Sequence, residues 1–212
     1  MSEYHKIQTL YLRDPATGHR ALLYGEWALP EFAYLKDVEW VFTEKVDGTN
    51  IRVVWDGAVV GFGGKTDNAQ IPTPLLGTLL TTFTGDKLAA ALKGPLVLYG
   101  EGYGPKIQSG GRYADEASFI LFDAAAGGVW LNRDTLEEIA AAIGVALVPI
   151  IGRGTPLDAI TMTRAGFLSV VAKDPTLIAE GIVLRPAVEL LDRRGRRIVG
   201  KIKHKDFQGG AR

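Results

Sequence analysis

No cysteine occurs among the 212 residues, which excludes disulfides, cysteine-ligated zinc and thiol catalysis and fits a reducing cytoplasm. Neither charge is in surplus, since 24 basic residues balance 24 acidic ones. No global field draws the chain to nucleic acid or to a membrane surface, and any polyanion site has to be a local cluster of cations. No apolar run approaches the ~18 residues of a membrane span, and the opening MSEYHKIQTLYLRD has no apolar stretch of the kind a secretory signal needs. Repeats, low-complexity tracts and linkers are also missing. These absences lead to the expectation of a soluble, cytoplasmic protein with no membrane partner. An apolar fraction of 47% suffices for one sizeable core, hence a single domain over 1–212 or a domain with a small lobe.

What is present alternates short strands with a few helices. Val38 to Thr43 and Ile51 to Trp55 are rich in β-branched and aromatic residues, and Asp47-Gly48 lies between them. They read as paired strands, with Lys45 at the mouth of their hairpin. Asp56-Gly57 marks a second tight turn, within VVWDGAVVGFGG. Apolar spacing at Leu75, Leu76, Leu79, Leu80 and Phe83, followed by KLAAAL, predicts one or two helices over 75–92. Leu96 to Tyr99 and Phe119 to Phe122 are buried strands. A helix runs from Arg133 to Ile143, with Asn132 as N-cap and Gly144 as stop. VALVPII is one further strand, Arg164 to Ala172 a short helix, and Gly181 to Leu184 and Ile198 to Ile202 are strands joined by a turn around Gly195. This is an α+β pattern.

Lysine before Asp-x-Gly is common in turns, and alone it says little. Four more polar clusters, however, each sit at the end or edge of a predicted strand: GGKTDNAQIP, LYGEGYG, EGIVLRP and KIKHK. Glu101 and Glu180 adjoin glycine-flanked apolar strands. Lys201 and Lys203 share one face of a strand, because side chains repeat every second residue, and they need an anion opposite them.

In this order the clusters resemble the covalent nucleotidyltransferase superfamily of ATP-dependent ligases and capping enzymes, and within it the phage and bacterial RNA ligases. K-x-D-G appears as KVDG from Lys45 to Gly48, GEGYG surrounds Glu101, and FILFD ends at Phe122-Asp123. EGIV begins at Glu180, and K-x-K is KIK from Lys201 to Lys203. The likeness covers nearly the whole chain. It implies a ligase adenylation fold of mostly antiparallel sheets with flanking helices. It further implies an RNA repair enzyme that uses ATP and magnesium or manganese on RNA bearing 5′-phosphate and 3′-OH ends.

The chemistry accounts for the residue types. Attack on the α-phosphate of ATP needs an unprotonated amine, and a free lysine with a pKa of about 10.4 is neutral in only roughly one molecule in two thousand at pH 7, a penalty of ~4.6 kcal/mol. Nearby cations lower that cost and also hold the phosphate oxygens on which charge builds up. By the resemblance, Lys45 becomes the lysyl–AMP and Lys201 and Lys203 are those cations. Glu101 binds the ribose hydroxyls, and Phe122, or Phe119 in its place, stacks on adenine. Asp47 and Glu180 support the metal and the later steps. Glu44 and Val46, which flank the nucleophile, join the nucleotide-binding set, and Asn50 helps read the 5′-phosphate.

Where the family usually has an arginine after its first motif, GGKTDN offers Lys65, which keeps the charge but loses the bidentate fork that grips phosphate. Its contact is with the ATP tail or the RNA. GYGPKIQSGGRY lacks the strand–GxxxxGK[ST]–helix context of a P-loop and reads as a mobile substrate-side loop, with Lys106 and Arg112 as RNA contacts. RRGRR from Arg193 to Arg197 is either a solvated hairpin tip or an RNA-backbone patch. His5, His19 and His204 show no metal-ligand spacing. The resemblance leaves two other readings open, a nick-sealing DNA ligase and a non-catalytic nucleotide- or RNA-binding module. Arg212 follows Lys203 so closely that no C-terminal OB domain is expected, and an accessory protein or domain would then position the RNA.

Overall fold

The computed structural model describes residues 3–208. These cluster into two compact units. One comprises Asp47–Val148 and Ala172–Asp174 with the described residues up to His5, and the other comprises Lys6–Val46, Pro149–Val171 and the chain from Pro175 onward. The boundary falls inside KVDG, between Val46 and Asp47.

The unit that carries Lys45 is built on a five-stranded sheet. Its strands are β1 (Gln8–Thr9), β4 (Trp40–Lys45), β11 (Ile150–Gly154), β12 (Gly181–Pro186) and β13 (Gly200–Lys203), in the order β1-β13-β12-β4-β11. A two-stranded ribbon, β2 (Tyr11–Arg13) with β3 (Leu22–Trp27), and a short helix α1 (Pro30–Tyr34) complete its early part. Helix α5 (Pro156–Ala165) packs Ala159 and Ile160 into a core with Trp40, Phe42, Ile182, Leu184 and Ile202. Side chains alternate along a strand, so Phe42 and Glu44 share the core-side face of β4 while Thr43 and Lys45 lie on the other.

The second unit is a sheet of β5 (Thr49–Trp55), β6 (Val60–Gly63), β7 (Leu96–Tyr103), β8 (Ser118–Ala126) and β10 (Ala146–Leu147), ordered β10-β8-β7-β5-β6, with β9 (Val129–Trp130) paired to β8. Helices α2 (Thr73–Thr82), α3 (Gly85–Ala91) and α4 (Arg133–Ile143) cover one face. Ile51, Val53, Leu98 and Leu121 of the sheet meet Leu75, Leu79, Leu88 and Leu136 of the helices there. Helix α4 has the bounds its sequence predicts, and the Asn132 side chain accepts from Thr135 N at 2.9 Å.

Three expectations are corrected. The runs 38–43 and 51–55 are strands but not partners: β4 lies between β11 and β12, and β5 between β6 and β7, in different sheets. Asp47-Gly48 is therefore a crossing, not a hairpin turn. Glycine is required there because a Cβ on Gly48 would sit 2.2 Å from the Gly102 carbonyl oxygen. VALVPII is not one strand but divides between β10 and β11, which belong to different sheets. The helix expected over 164–172 runs instead from Pro156 to Ala165. Its start is a capping box, in which Asp158 Oδ2 accepts from Thr155 N at 2.7 Å and Thr155 Oγ1 accepts from Asp158 N at 3.3 Å, followed by proline in the first turn, where its missing N–H costs nothing. The Asp56-Gly57 hairpin, the two helices over 75–92 and the turn at Gly195 are present as read.

Candidate active site

Strand β12 is the axis of the site. Gly181 is the register partner of Lys45 on β4 and of Lys203 on β13, so the two lysines flank it on a single sheet. Glu180 immediately precedes Gly181, and its carboxylate spans both neighbours. Oε2 accepts from Lys45 Nζ at 2.5 Å, and Oε1 lies 2.5 Å from Lys203 Nζ. The three side chains are 19%, 10% and 20% exposed respectively, so this is a half-buried triad that solvent still reaches. Gly181 makes the approach possible, because a Cβ there would lie 2.1 Å from the Ile202 carbonyl oxygen. Val183, two residues on, partners both Thr43 and Lys201, which places Lys201 on the same face as Lys203. Thr43 Oγ1 donates to the Val183 carbonyl at 3.1 Å and ties the two strands at that level.

Glu44 points the other way. It is 1% exposed, accepts from the Ser169 hydroxyl and, at 2.8 Å, from Val170 N. Burial pushes its carboxyl above the ordinary value, and the hydrogen bonds from Ser169, Val170 and Val171 only partly offset that. The expectation that Glu44 belongs with the nucleotide contacts is thus narrowed: its carboxylate is committed to the 169–171 segment, on the face opposite Lys45. Val46, which ends this unit, is buried.

In the other unit, Asn50 and Glu101 are register partners on β5 and β7, on the face turned away from the helices. Asn50 Oδ1 is buried and has no hydrogen-bond partner among the described residues. Phe122 stands at a bulge of β8, between Asp123 opposite Tyr99 and Leu121 opposite Gly100. Its ring meets Tyr4 edge-on at 5.1 Å, and the Tyr4 hydroxyl donates to Asp123 at 2.7 Å. Phe119 faces the helical side and packs on Phe83 at 5.1 Å, so the alternative stacking residue is a core residue. Asp47 is partly buried and Lys65 is exposed on its loop.

Loop 104–112 is folded, not loose. Ile107 is buried in the core, its amide donates to the Gly104 carbonyl, and its own carbonyl accepts from Gly110 N at 2.8 Å. Lys106 and Arg112 are exposed on this loop, and Arg112 is paired with Asp174 at 2.7 Å.

Among the described residues no group of three or more His, Asp or Glu is arranged to hold a metal. Both oxygens of Glu180 are held by lysines, and Asp47 lies in the other unit. The residues present therefore do not form a protein-built metal cage. They fit an ion carried mainly on phosphate oxygens and water, the usual habit of magnesium.

The family model described as RNA ligase matches residues 38–203, which is most of the chain. The chain belongs to the RNA ligase family. Its fold is also that of Naegleria gruberi RNA ligase. A variant of that enzyme with AMP and Mn aligns with a TM-score of 0.67 at 15% identity, over 96% of this chain and 56% of the other. The same enzyme with PPi gives 0.66 at 16% identity, over 96% and 56%. A variant with ATP and Mn gives 0.65 at 15% identity, over 97% and 63%. The chain thus spans little more than half the length of the solved structures it matches. No curated protein matches it.

Sequence reasoning missed one residue that shapes this RNA ligase-family site. Arg52 is 0% exposed, its Nε donates to the Gly64 carbonyl at 2.8 Å, and its terminal nitrogen pairs with Asp67 at 2.8 Å. It fixes the GGKTDN loop that displays Lys65. A charge in the middle of the apolar run IRVVW was the available signal. Ser169 was missed for lack of one, since nothing in FLSVV marks a hydroxyl that holds a carboxylate.

Proposed function

We propose that the chain is the catalytic part of an ATP-dependent RNA ligase that works through a lysyl–AMP intermediate on Lys45. The observation that carries this reading is the triad of Lys45 and Lys203 on the two oxygens of Glu180, in a chain of the RNA ligase family. The amine must shed a proton and leave Glu180 before it can attack. Lys45 Nζ then forms a P–N bond to the α-phosphorus as the bond from that phosphorus to the bridging oxygen breaks, and pyrophosphate leaves with the bonding pair. Lys203, with Lys201 on the same face, offers its ammonium to the phosphate oxygens as the lysine departs. Glu180 holds both amines at one height on the sheet and keeps them from drifting apart.

In the second step the 5′-phosphate of an RNA end displaces Lys45 from the adenylate. In the third, the 3′-OH attacks that activated end, a phosphodiester forms, and AMP leaves. Glu101 is assigned to the ribose, Phe122 to adenine, and Asn50 and Lys65 to phosphate. Lys106 and Arg112 are assigned to the RNA, with Arg112 needing to release Asp174 first. That the Naegleria structures hold ATP, AMP, PPi and Mn supports ATP as substrate and a divalent ion as its companion. Such an ion, when bound, neutralises charge on the phosphate oxygens. An RNA repair role, a cytoplasmic site of action and an accessory protein or domain that positions the RNA belong to this proposal.

Incubation with α-labelled ATP and magnesium or manganese, followed by a denaturing gel, tests the reading. A labelled band that vanishes in Lys45→Ala is expected. An unlabelled wild-type protein across metals and pH would refute it, and labelled DNA nicks sealed as well as RNA would reassign the substrate.

A further inference from the structure

Beside the triad, on the same unit, lies an open cleft of about 400 Å³ lined by Arg13, Arg20, Lys203, Lys205 and Asp206. Four cations against one carboxylate is a strong local excess in a chain whose charges otherwise cancel. The cleft is also built. Arg13, at the end of β2, is paired with Asp206 at 2.8 Å, and its other terminal nitrogen donates to the carbonyls of His19 and Arg20 at 3.3 and 3.4 Å. Asp206 is itself buried and accepts from the Lys203 backbone N–H at 3.3 Å. One wall, the β2–β3 turn, is therefore fastened to the other, the turn that follows β13. Arg20 and Lys205 are exposed at its rim.

We infer that this cleft is the subsite for the pyrophosphoryl group, both as the outer two phosphates of bound ATP and as the product or reverse-reaction substrate. The inference deepens the ligase reading and rests on it. Lys203 belongs to both places: its ammonium shares a carboxylate with Lys45 and lines the cleft. A phosphate chain whose first phosphorus meets Lys45 can therefore continue along Lys203 into the cleft. Cations converging on one concavity suit a compact polyanion, whereas a strand backbone, with one charge per phosphate, is matched by cations spread along a groove. Guanidinium forks at Arg13 and Arg20 would grip terminal phosphate oxygens as lysines alone do not.

Arg20→Ala and Lys205→Ala are the informative changes, since both side chains are exposed and neither supports the fold, whereas Arg13→Ala would also strip Asp206 of its partner. Titration of the full chain with inorganic pyrophosphate is expected to show about tenfold weaker binding in each, the scale of one charge-assisted hydrogen bond. Starting from the adenylylated protein, pyrophosphate-driven release of ATP should slow by a similar factor in Arg20→Ala. Sealing of RNA that already carries the adenylate, a step without pyrophosphate, should stay within about twofold of wild type. Unchanged pyrophosphate affinity in both variants would overturn the assignment, as would loss of RNA sealing with pyrophosphate binding intact. The two failures are distinguishable. A wild type that is never labelled by ATP refutes the ligase reading, whereas a wild type labelled normally alongside variants with unaltered pyrophosphate dependence refutes only the cleft.

Discussion

Lys45 and Lys203 stand on opposite sides of Gly181, each with its ammonium 2.5 Å from its own oxygen of one carboxylate, that of Glu180. Two like charges are thus held side by side by a single counter-ion, and four predictions start from this and from its surroundings.

Glu180→Gln keeps the shape but removes the charge between the lysines. The pair should lose about 1–3 kcal/mol of stability, less than a fully buried pair because all three side chains are partly wet. Labelling by ATP should slow about a hundredfold or more, the scale of removing a positioned charge partner at a reacting centre. Urea unfolding and the initial rate of label incorporation measure the two effects; a labelling rate equal to wild type would remove Glu180 from the site.

Gly181→Ala puts a methyl group against the Ile202 carbonyl, a backbone atom that cannot swing aside. Strands β12 and β13 must part, at a cost above about 3 kcal/mol. A thermal midpoint within a few degrees of wild type would show that the strands are less closely engaged than described.

The pH dependence of stability should carry the mark of Glu44. Its folded value is raised above the ordinary 4.5 by burial, so the protonated form favours the folded state. That contribution is complete below the unfolded value and is lost as pH rises through the folded one. Glu44→Gln is uncharged at every pH and should remove the decline. Urea midpoints of both proteins from about pH 4 to pH 8 give the comparison, and parallel curves would contradict it.

Arg52 and Asp67 form an ion pair of very unequal burial, 0% against 62% exposed at the side chains. Arg52→Ala opens a buried hole and strands the Gly64 carbonyl, for a loss of roughly 2–4 kcal/mol, while Asp67→Asn should cost less than about 1 kcal/mol. Equal losses from the two would mean that the pair, not the packing of the guanidinium stem, is what counts.

Local features were legible in the sequence. Asn132 and Gly144 bound α4 because capping is decided within a few residues, and Asp56-Gly57 turns where it should. The lysines of KIK fall on one face because strand periodicity is local too. Partnership was not legible. Asp47-Gly48 has turn chemistry, but turn chemistry does not say which strands pair, and β4 takes both its neighbours from the last third of the chain. Glu180 meets Lys45 across 135 positions of sequence, so the need for an anion opposite the lysines was readable while its shared use was not. Arg13 and Arg20 attracted no notice, because an arginine near a turn is ordinary until the fold brings it beside Lys203.

The register of β1 has a temporal consequence. Gln8 and Thr9 pair with Gly200 and Lys201, and the ribosome makes those partners nearly at the end of translation. The sheet that flanks Lys45 with Glu180 and Lys203 is therefore among the last parts of the molecule to be assembled. A growing polypeptide carries its reactive lysine for most of its synthesis without the neighbours that would direct it, and competence arrives late, in a single closing event.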